Sequence, residues 1–217
     1  MAAGCVVVVL LGVVWVFRAG STRSPSSQAA GAVPVVTAGA AISDAQDTQV
    51  PSSAPAVTWA LYRTLALPFS PVAGPANVSG DVATGYAHTP TGALIAADQI
   101  GARYRMANDW RGVLEASVAS GPGRQVWMAT RSKYGDWDPP QPGTLCQDTG
   151  FVFVDYTPAR AVIQLASRCP AGGLQTVSAT VAWDGGDWKL VLAPDGGLGP
   201  VAQVITSLDG YVVWGGV

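Results

Sequence analysis

Phe151-Val152-Phe153-Val154-Asp155-Tyr156, then Thr157-Pro158-Ala159-Arg160, then Ala161-Val162-Ile163-Gln164-Leu165 reads as two strands joined by a turn. β-branched and aromatic residues fit a pleated, half-buried surface, and a proline-containing break between two such runs predicts a hairpin. A second hairpin follows, pairing Thr176 to Trp183 with Trp188 to Leu192 around Asp184-Gly185-Gly186-Asp187, whose glycines suit the positive backbone angles of a tight turn. Upstream the period changes from two to about three and a half. Thr89-Pro90 predicts a helix start, since Thr caps free backbone amides and Pro at the first helical position gives up an amide that had no partner. Ala93, Ala97, Ile100, Tyr104 and Ala107 then form one narrow apolar face. Leu94, Ile95 and Met106 fall off that stripe, so this helix is expected to be covered on more than one side. Trp110 to Ala119 and Pro122 to Ser132 read as two further short helices. Helices first and a meander after predict an α+β domain, with the helices packed on one face of a curved antiparallel sheet.

The domain is expected to span residues 57–217, with Trp59 near its start. Thr58 to Tyr62 and Ala66-Leu67-Pro68 read as a lead-in that packs its aromatics onto the domain, and Pro71 to Asp81 as a turn-rich stretch. Residues 19–56 are rich in Ser, Pro, Ala, Gly, Thr and Gln, with Arg23, Asp44 and Asp47 among their few charges. Such a segment buries too little to offset its chain entropy and reads as a disordered stalk. Before it, residues 1–18 carry an unbroken apolar run of 16 residues from Ala2 to Phe17, ended by Arg18. At about 1.5 Å per residue the run spans roughly 24 Å as a helix, slightly short of a hydrocarbon core. The preferred reading is a single transmembrane anchor, with Trp15 at its interface. A cleaved signal peptide, with Ala38-Gly39-Ala40 as a distant cleavage site, and a buried core segment are the alternatives. Ala3-Gly4-Cys5 only superficially resembles a lipoprotein site, because the apolar run follows the cysteine instead of preceding it. The nearby basic residues, Arg18 and Arg23, lie after the run, and the positive-inside rule applied to them alone would leave the domain in the cytoplasm. A start upstream of Met1, carrying the missing basic flank, would remove that conflict.

The cysteines give an independent orientation. Cys5 lies in the apolar run, and Cys146 and Cys169 lie in the domain, centred on Thr157-Pro158. In an antiparallel pair, residues equidistant from the turn face each other, which brings these two within disulfide reach. Two unrelated buried thiols are the alternative. Zinc is disfavoured by the lack of a paired-cysteine element and by the presence of one histidine, His88, far away in sequence. A disulfide requires an oxidising compartment and so places the domain outside the cytoplasm.

Charged residues make up 12% of the chain against 49% hydrophobic, enough apolar material for a core. A net charge of −2 and the lack of any basic run exclude a nucleic-acid partner. No nucleophile elbow, P-loop, dinucleotide fingerprint or HExxH motif occurs, so no cofactor or metal is implied. His88, just before the helix start, can be a base or a ligand, but the preferred reading is a ring that fixes the loop. Asp98 can be a general base in a pocket with Tyr104 as a donor. The preferred reading instead puts Asp98 on a solvated polar face beside Arg105. Trp183 and Trp188, with Trp214, Trp127 and Trp137, can form a ligand-stacking wall, though packing of core and edges is preferred. Asp136, Asp138 and Asp148 can attract a cation but match no calcium loop. Asn77-Val78-Ser79 fits a glycosylation acceptor, a weak three-residue signal.

Several segments together resemble a known family. Trp59, Ala66-Leu67-Pro68, Gly74-Pro75 and Gly85-Tyr86-Ala87-His88-Thr89-Pro90-Thr91-Gly92-Ala93 are similar to a family of uncharacterised actinobacterial membrane-anchored proteins. So are the run from Val181 to Leu190 and the closing Tyr211-Val212-Val213-Trp214-Gly215. Members tend to be encoded on conjugative elements and phages. The helix-then-meander order and the Trp183 to Trp188 hairpin also look like the cone-shaped, nuclear-transport-factor-like fold. That fold serves ketosteroid isomerases and the exported scaffold subunits of type IV secretion systems. The isomerase's carboxylate and tyrosine carry over to no position here. The resemblance implies a non-enzymatic, membrane-anchored scaffold or accessory component of a conjugation apparatus, contacting protein partners in the envelope and open to homo-oligomerisation. An exported module holding a small apolar ligand or a cell-wall fragment is the alternative, and an isomerase-like enzyme is third.

Alkylation of the protein under non-reducing conditions is expected to leave Cys146 and Cys169 unmodified. Ready labelling of both would remove the argument for an exported domain.

Overall fold

The computed structural model describes residues 48–136, 138, 140–200 and 202–216. The apolar run and most of the stalk lie outside them. Among the described residues no helix is long and apolar enough to cross a membrane. The elements, in chain order, are β1 (Thr58–Tyr62), β2 (Leu65–Phe69), β3 (Asn77–Ser79), β4 (Val82–Thr84), α1 (Pro90–Met106), α2 (Trp110–Ser117) and α3 (Pro122–Arg131). They continue as β5 (Gln147–Thr157), β6 (Arg160–Arg168), β7 (Leu174–Asp184), β8 (Asp187–Val191), β9 (Gln203–Ile205) and β10 (Val212–Val213). The main sheet runs β10-β5-β6-β7-β8, with β9 also paired to β7, and all its ladders are antiparallel. The α+β class expected from the order of elements is therefore observed. The lead-in is itself a hairpin, β1 with β2, and the turn-rich stretch holds part of a second small one, β3 with β4.

The three helices begin where the sequence places them. The Thr89 hydroxyl accepts the amide of Gly92 at 3.1 Å, and Pro90 opens α1. Gly92 packs so closely on the carbonyl of Ala87 that a Cβ there would collide with backbone. All five residues of the narrow stripe are buried, and so are Leu94 and Ile95 on the other sides. The helix is enclosed by β2, β4, α2 and the face of β6, β7 and β8. Its polar residues must therefore find partners inside. Gln99 donates to the carbonyl of Pro68 and accepts from Arg103 Nε, while Arg103 also donates to the carbonyl of Asp81 at 3.0 Å.

In the first hairpin of the main sheet Thr157 faces Arg160, so the turn proper is Pro158-Ala159. The register then shifts twice, between Phe153 and Asp155 and between Asp148 and Gly150, each shift adding one residue to β5. Such bulges bend a strand and re-aim its side chains. At the far end Gln147 faces Arg168, and one step beyond it Cys146 and Cys169 form a disulfide with Cα atoms 4.0 Å apart. The equidistance argument found the right pair with the turn centre one residue off, because the bulges make up the difference. In the second hairpin Gly185 and Gly186 have φ of 62° and 84°, the left-handed values that a two-residue turn of this kind needs.

Asp187, at that turn, fixes the helix layer to the sheet. Its carboxylate accepts the amides of Gly85 at 2.7 Å and Tyr86 at 2.9 Å, and the amide of Trp188 at 2.9 Å. Backbone amides on a carboxylate are charge-assisted and stronger than neutral pairs. Removing the carboxylate in Asp187→Ala leaves amides without partners and is expected to destabilise the domain by about 2–4 kcal/mol. Urea unfolding followed by tryptophan fluorescence measures this, and a loss under about 0.5 kcal/mol, the range of an ordinary surface substitution, would refute the clamp.

Candidate functional site

A cavity of about 860 Å³ lies between α1, α3 and the sheet, and reaches β2 on its other side. Its wall is mainly apolar, with Leu65 and Leu67 from β2, Ala97 and Met106 from α1, Trp127 from α3 and Leu165 from β6. Gly101 contributes no side chain, and a Cβ built on it would meet only Leu198, at ordinary contact distance. The space on this side of α1 is thus left by the sequence itself. The wall between α1 and the disulfide is tied down by Gln147, whose side-chain amide accepts the Ala66 amide at 2.8 Å and donates to the Ala66 carbonyl at 2.9 Å. That pair of bonds joins β2 to β5 where no ladder does.

Two carboxylates face this apolar space, Asp98 from α1 and Asp148 from β5. Asp98 is 3% exposed, and its Oδ2 has no hydrogen-bond partner among the described residues. Burial holds its carboxyl well above the usual carboxylate range, and the charge of Asp148 adds to this against the opposing field of Arg105. Asp148 is partly buried and accepts the hydroxyl of Ser167. It too is raised, by burial first, with the Ser167 hydrogen bond and Arg105 pulling the other way. Arg105 is exposed and donates through Nε to the carbonyl of Gly101 at 2.8 Å. Arg131 is buried on the α3 side and donates to the carbonyls of Tyr134 and Gly135 at 3.1 and 2.8 Å.

The residues singled out from the sequence fall into three places. Asp98 is not on a solvated face: it is buried on the side of α1 that borders the cavity, while Arg105 further along the helix is exposed. Tyr104 is buried away from the cavity and packs on Trp127 at 5.5 Å between ring centres, its hydroxyl pushed up by burial. It is therefore no partner of Asp98 across the cavity. His88 stacks on Trp183 at 3.9 Å, nearly parallel, with its Nε2 2.6 Å from the carbonyl of Pro158. Trp188 is fully buried, meets Trp183 edge-on at 5.5 Å and donates from Nε1 to the carbonyl of Ala87. This cluster ties the approach to α1 to both hairpin turns. The tryptophans form no single wall: Trp214 packs on Trp59 and Phe151 elsewhere, Trp127 lines the cavity, and Trp137 lies outside the described residues. No cluster of three metal-ligating residues occurs among the described residues, and Asp148 faces the cavity.

The pairing of Asp98 with Asp148 was missed, although one signal pointed to half of it. A helix apolar on more than one side is buried, and a carboxylate on it is buried too. A carboxyl whose folded-state pKa is raised stabilises the fold in its neutral form. That contribution is complete below the unfolded value near 3.9 and is lost as the pH rises through the folded value. Asp98→Asn cannot ionise, so its stability relative to the natural protein is expected to climb as the pH rises above about 4. Parallel stability curves in chemical denaturation at several pH values would contradict the buried charge.

No curated protein and no solved structure matches the chain. Residues 21–213, covering the cavity, both carboxylates, the disulfide and the aromatic cluster, match a domain of unknown function (DUF8175), and the chain belongs to that family.

Proposed function

We propose that the domain is an exported binding module that holds a small, mainly apolar ligand in the cavity between α1, α3 and the sheet. The observation that carries this reading is a cavity of about 860 Å³ with an apolar wall and a buried carboxylate oxygen lacking a partner. Ligand sites are typically concave, roughly 300–1,000 Å³ in volume, mostly apolar and furnished with a few convergent polar groups, some with displaced pKa values. The disulfide supports an oxidising compartment. The apolar run ending at Arg18 and the Pro- and Ser-rich stretch after it support a membrane tether with a spacer. The order of three helices and an antiparallel meander agrees with a nuclear-transport-factor-like cone, an analogy of fold that carries no activity of its own.

The tether favours a second reading, a non-enzymatic scaffold or accessory part of an envelope apparatus for conjugation, acting through protein contacts. Its link to conjugation rests on family resemblance, and genes for a conjugative ATPase and relaxase beside those of many relatives would support it. The two readings are compatible, since an envelope component can also carry a ligand.

Binding is tested on the full chain in lipid nanodiscs, with empty nanodiscs as the blank, using 4-phenylbutanol in titration calorimetry. Gly101→Phe places a ring in the cavity from a helical position that lacks a side chain. Saturable binding by the natural protein, reduced at least tenfold in Gly101→Phe at unchanged melting temperature, is the expected result. No binding, or equal binding by the variant, would exclude the cavity as the site.

A further inference from the structure

We infer that the cavity selects an organic cation, a primary amine on an apolar body, with its ammonium group seated against the carboxylates of Asp98 and Asp148. The inference rests on the cavity-binding reading above and narrows it to one ligand class.

Three observations converge on it. Asp98 is almost wholly buried and lines the cavity, and its Oδ2 is without a partner among the described residues, while the other buried polar groups on α1, Gln99 and Arg103, are bonded. Asp148, on the opposite element, presents a second carboxylate to the same space, with Ser167 holding one of its oxygens. Around both, the wall is mainly apolar, and the donor that reaches a carboxylate there is Ser167, on Asp148. Ionising a carboxyl in such surroundings is costly, and an ammonium group offsets that cost at both acids through charge-assisted hydrogen bonds. A hydroxyl offers one donor and no charge. A ligand carboxylate would meet like charge.

The other charged and titratable groups on the lining are Arg105 from α1, Arg131 from α3 and Tyr134 just after it. Arg105 is exposed, so solvent and salt screen its field. The Arg131 guanidinium is turned onto the carbonyls of Tyr134 and Gly135. Neither therefore removes the preference for a cation at Asp98 and Asp148.

An alkylamine stays charged up to a pH of about 10, so between pH 5 and 8 only the protein's groups change state. Seating the ammonium requires both acids ionised, and because burial raises both carboxyls, binding is accompanied by release of protons. Amine affinity is expected to rise as the pH goes from 5 to 8, with a heat that depends on the ionisation enthalpy of the buffer.

Three probes with one apolar body separate the outcomes: 4-phenylbutylamine, 4-phenylbutanol and 4-phenylbutanoate, titrated into the full chain in nanodiscs at pH 5 and pH 8. The amine is expected to bind at least tenfold more tightly than the alcohol at pH 8, with that ratio shrinking at pH 5. Asp98→Asn and, separately, Asp148→Asn are expected to bring the ratio toward one. Equal binding of amine and alcohol, or preference for the butanoate, overturns the inference and leaves the cavity as a binding site. Binding of none of the three overturns the cavity reading as well.

Discussion

The carboxylate of Asp187 holds the amides of Gly85 and Tyr86 across about a hundred residues of chain, and the rest of the domain depends on that join. From β5 to β8 the sheet is built from neighbours in sequence, hairpin after hairpin, and needs little help to register. The helix layer is different, because α1 must find the sheet from a long way off and in one orientation. Asp187 sits at the tip of the second hairpin, and the backbone it grips leads within a few residues into the Thr89 cap. His88 and Trp188 reinforce the join at the Pro158 and Ala87 carbonyls. With the start of α1 fixed there, its later turns, carrying Asp98 and Gly101, are directed over the sheet face that bounds the cavity.

A second constraint acts at the other end of the sheet. Continuing the register of the Pro158-Ala159 turn without interruption would set Cys146 opposite Ala171, two residues past its true partner. Each bulge in β5 takes up one residue, and the carbonyl of the inserted Thr149 accepts the amide of Trp214. Thus the irregularities that bring Cys146 to Cys169 also attach the closing strand β10 and set the stretch from Gln147 to Asp148 against β2 and the cavity. Two local departures from a regular ladder thus serve three contacts.

The fold was legible where local chemistry decides structure. Caps, prolines at first helical positions, alternating β-branched runs and paired glycines each act within a few residues, and their elements appeared in place. The disulfide was legible because antiparallel symmetry makes a long-range statement from a short pattern. The hairpins β1 with β2 and β3 with β4 were harder to read, since β2 is buried along most of its length and does not alternate, and β3 and β4 have three residues each. The site was half legible. Asp98 stood out as the acidic residue on an apolar helix, yet whether it faces water or a cavity depends on what covers the helix there. Asp148 reaches the cavity only through the bulges, which no periodicity encodes.

The position of the disulfide bears on how firmly the cavity wall is held, and so on the proposed binding. Cys146 and its neighbours Leu145, Gln147 and Asp148 all belong to the wall, so the bond that closes the end of β5 and β6 also orders that wall before any ligand arrives. Association ordinarily carries the entropy of immobilising whatever was loose in the free protein. Here much of that ordering is done covalently and in advance. The order of the cavity wall is thus tied to the redox state of its surroundings, because reducing the bond between Cys146 and Cys169 removes the covalent link between the ends of β5 and β6.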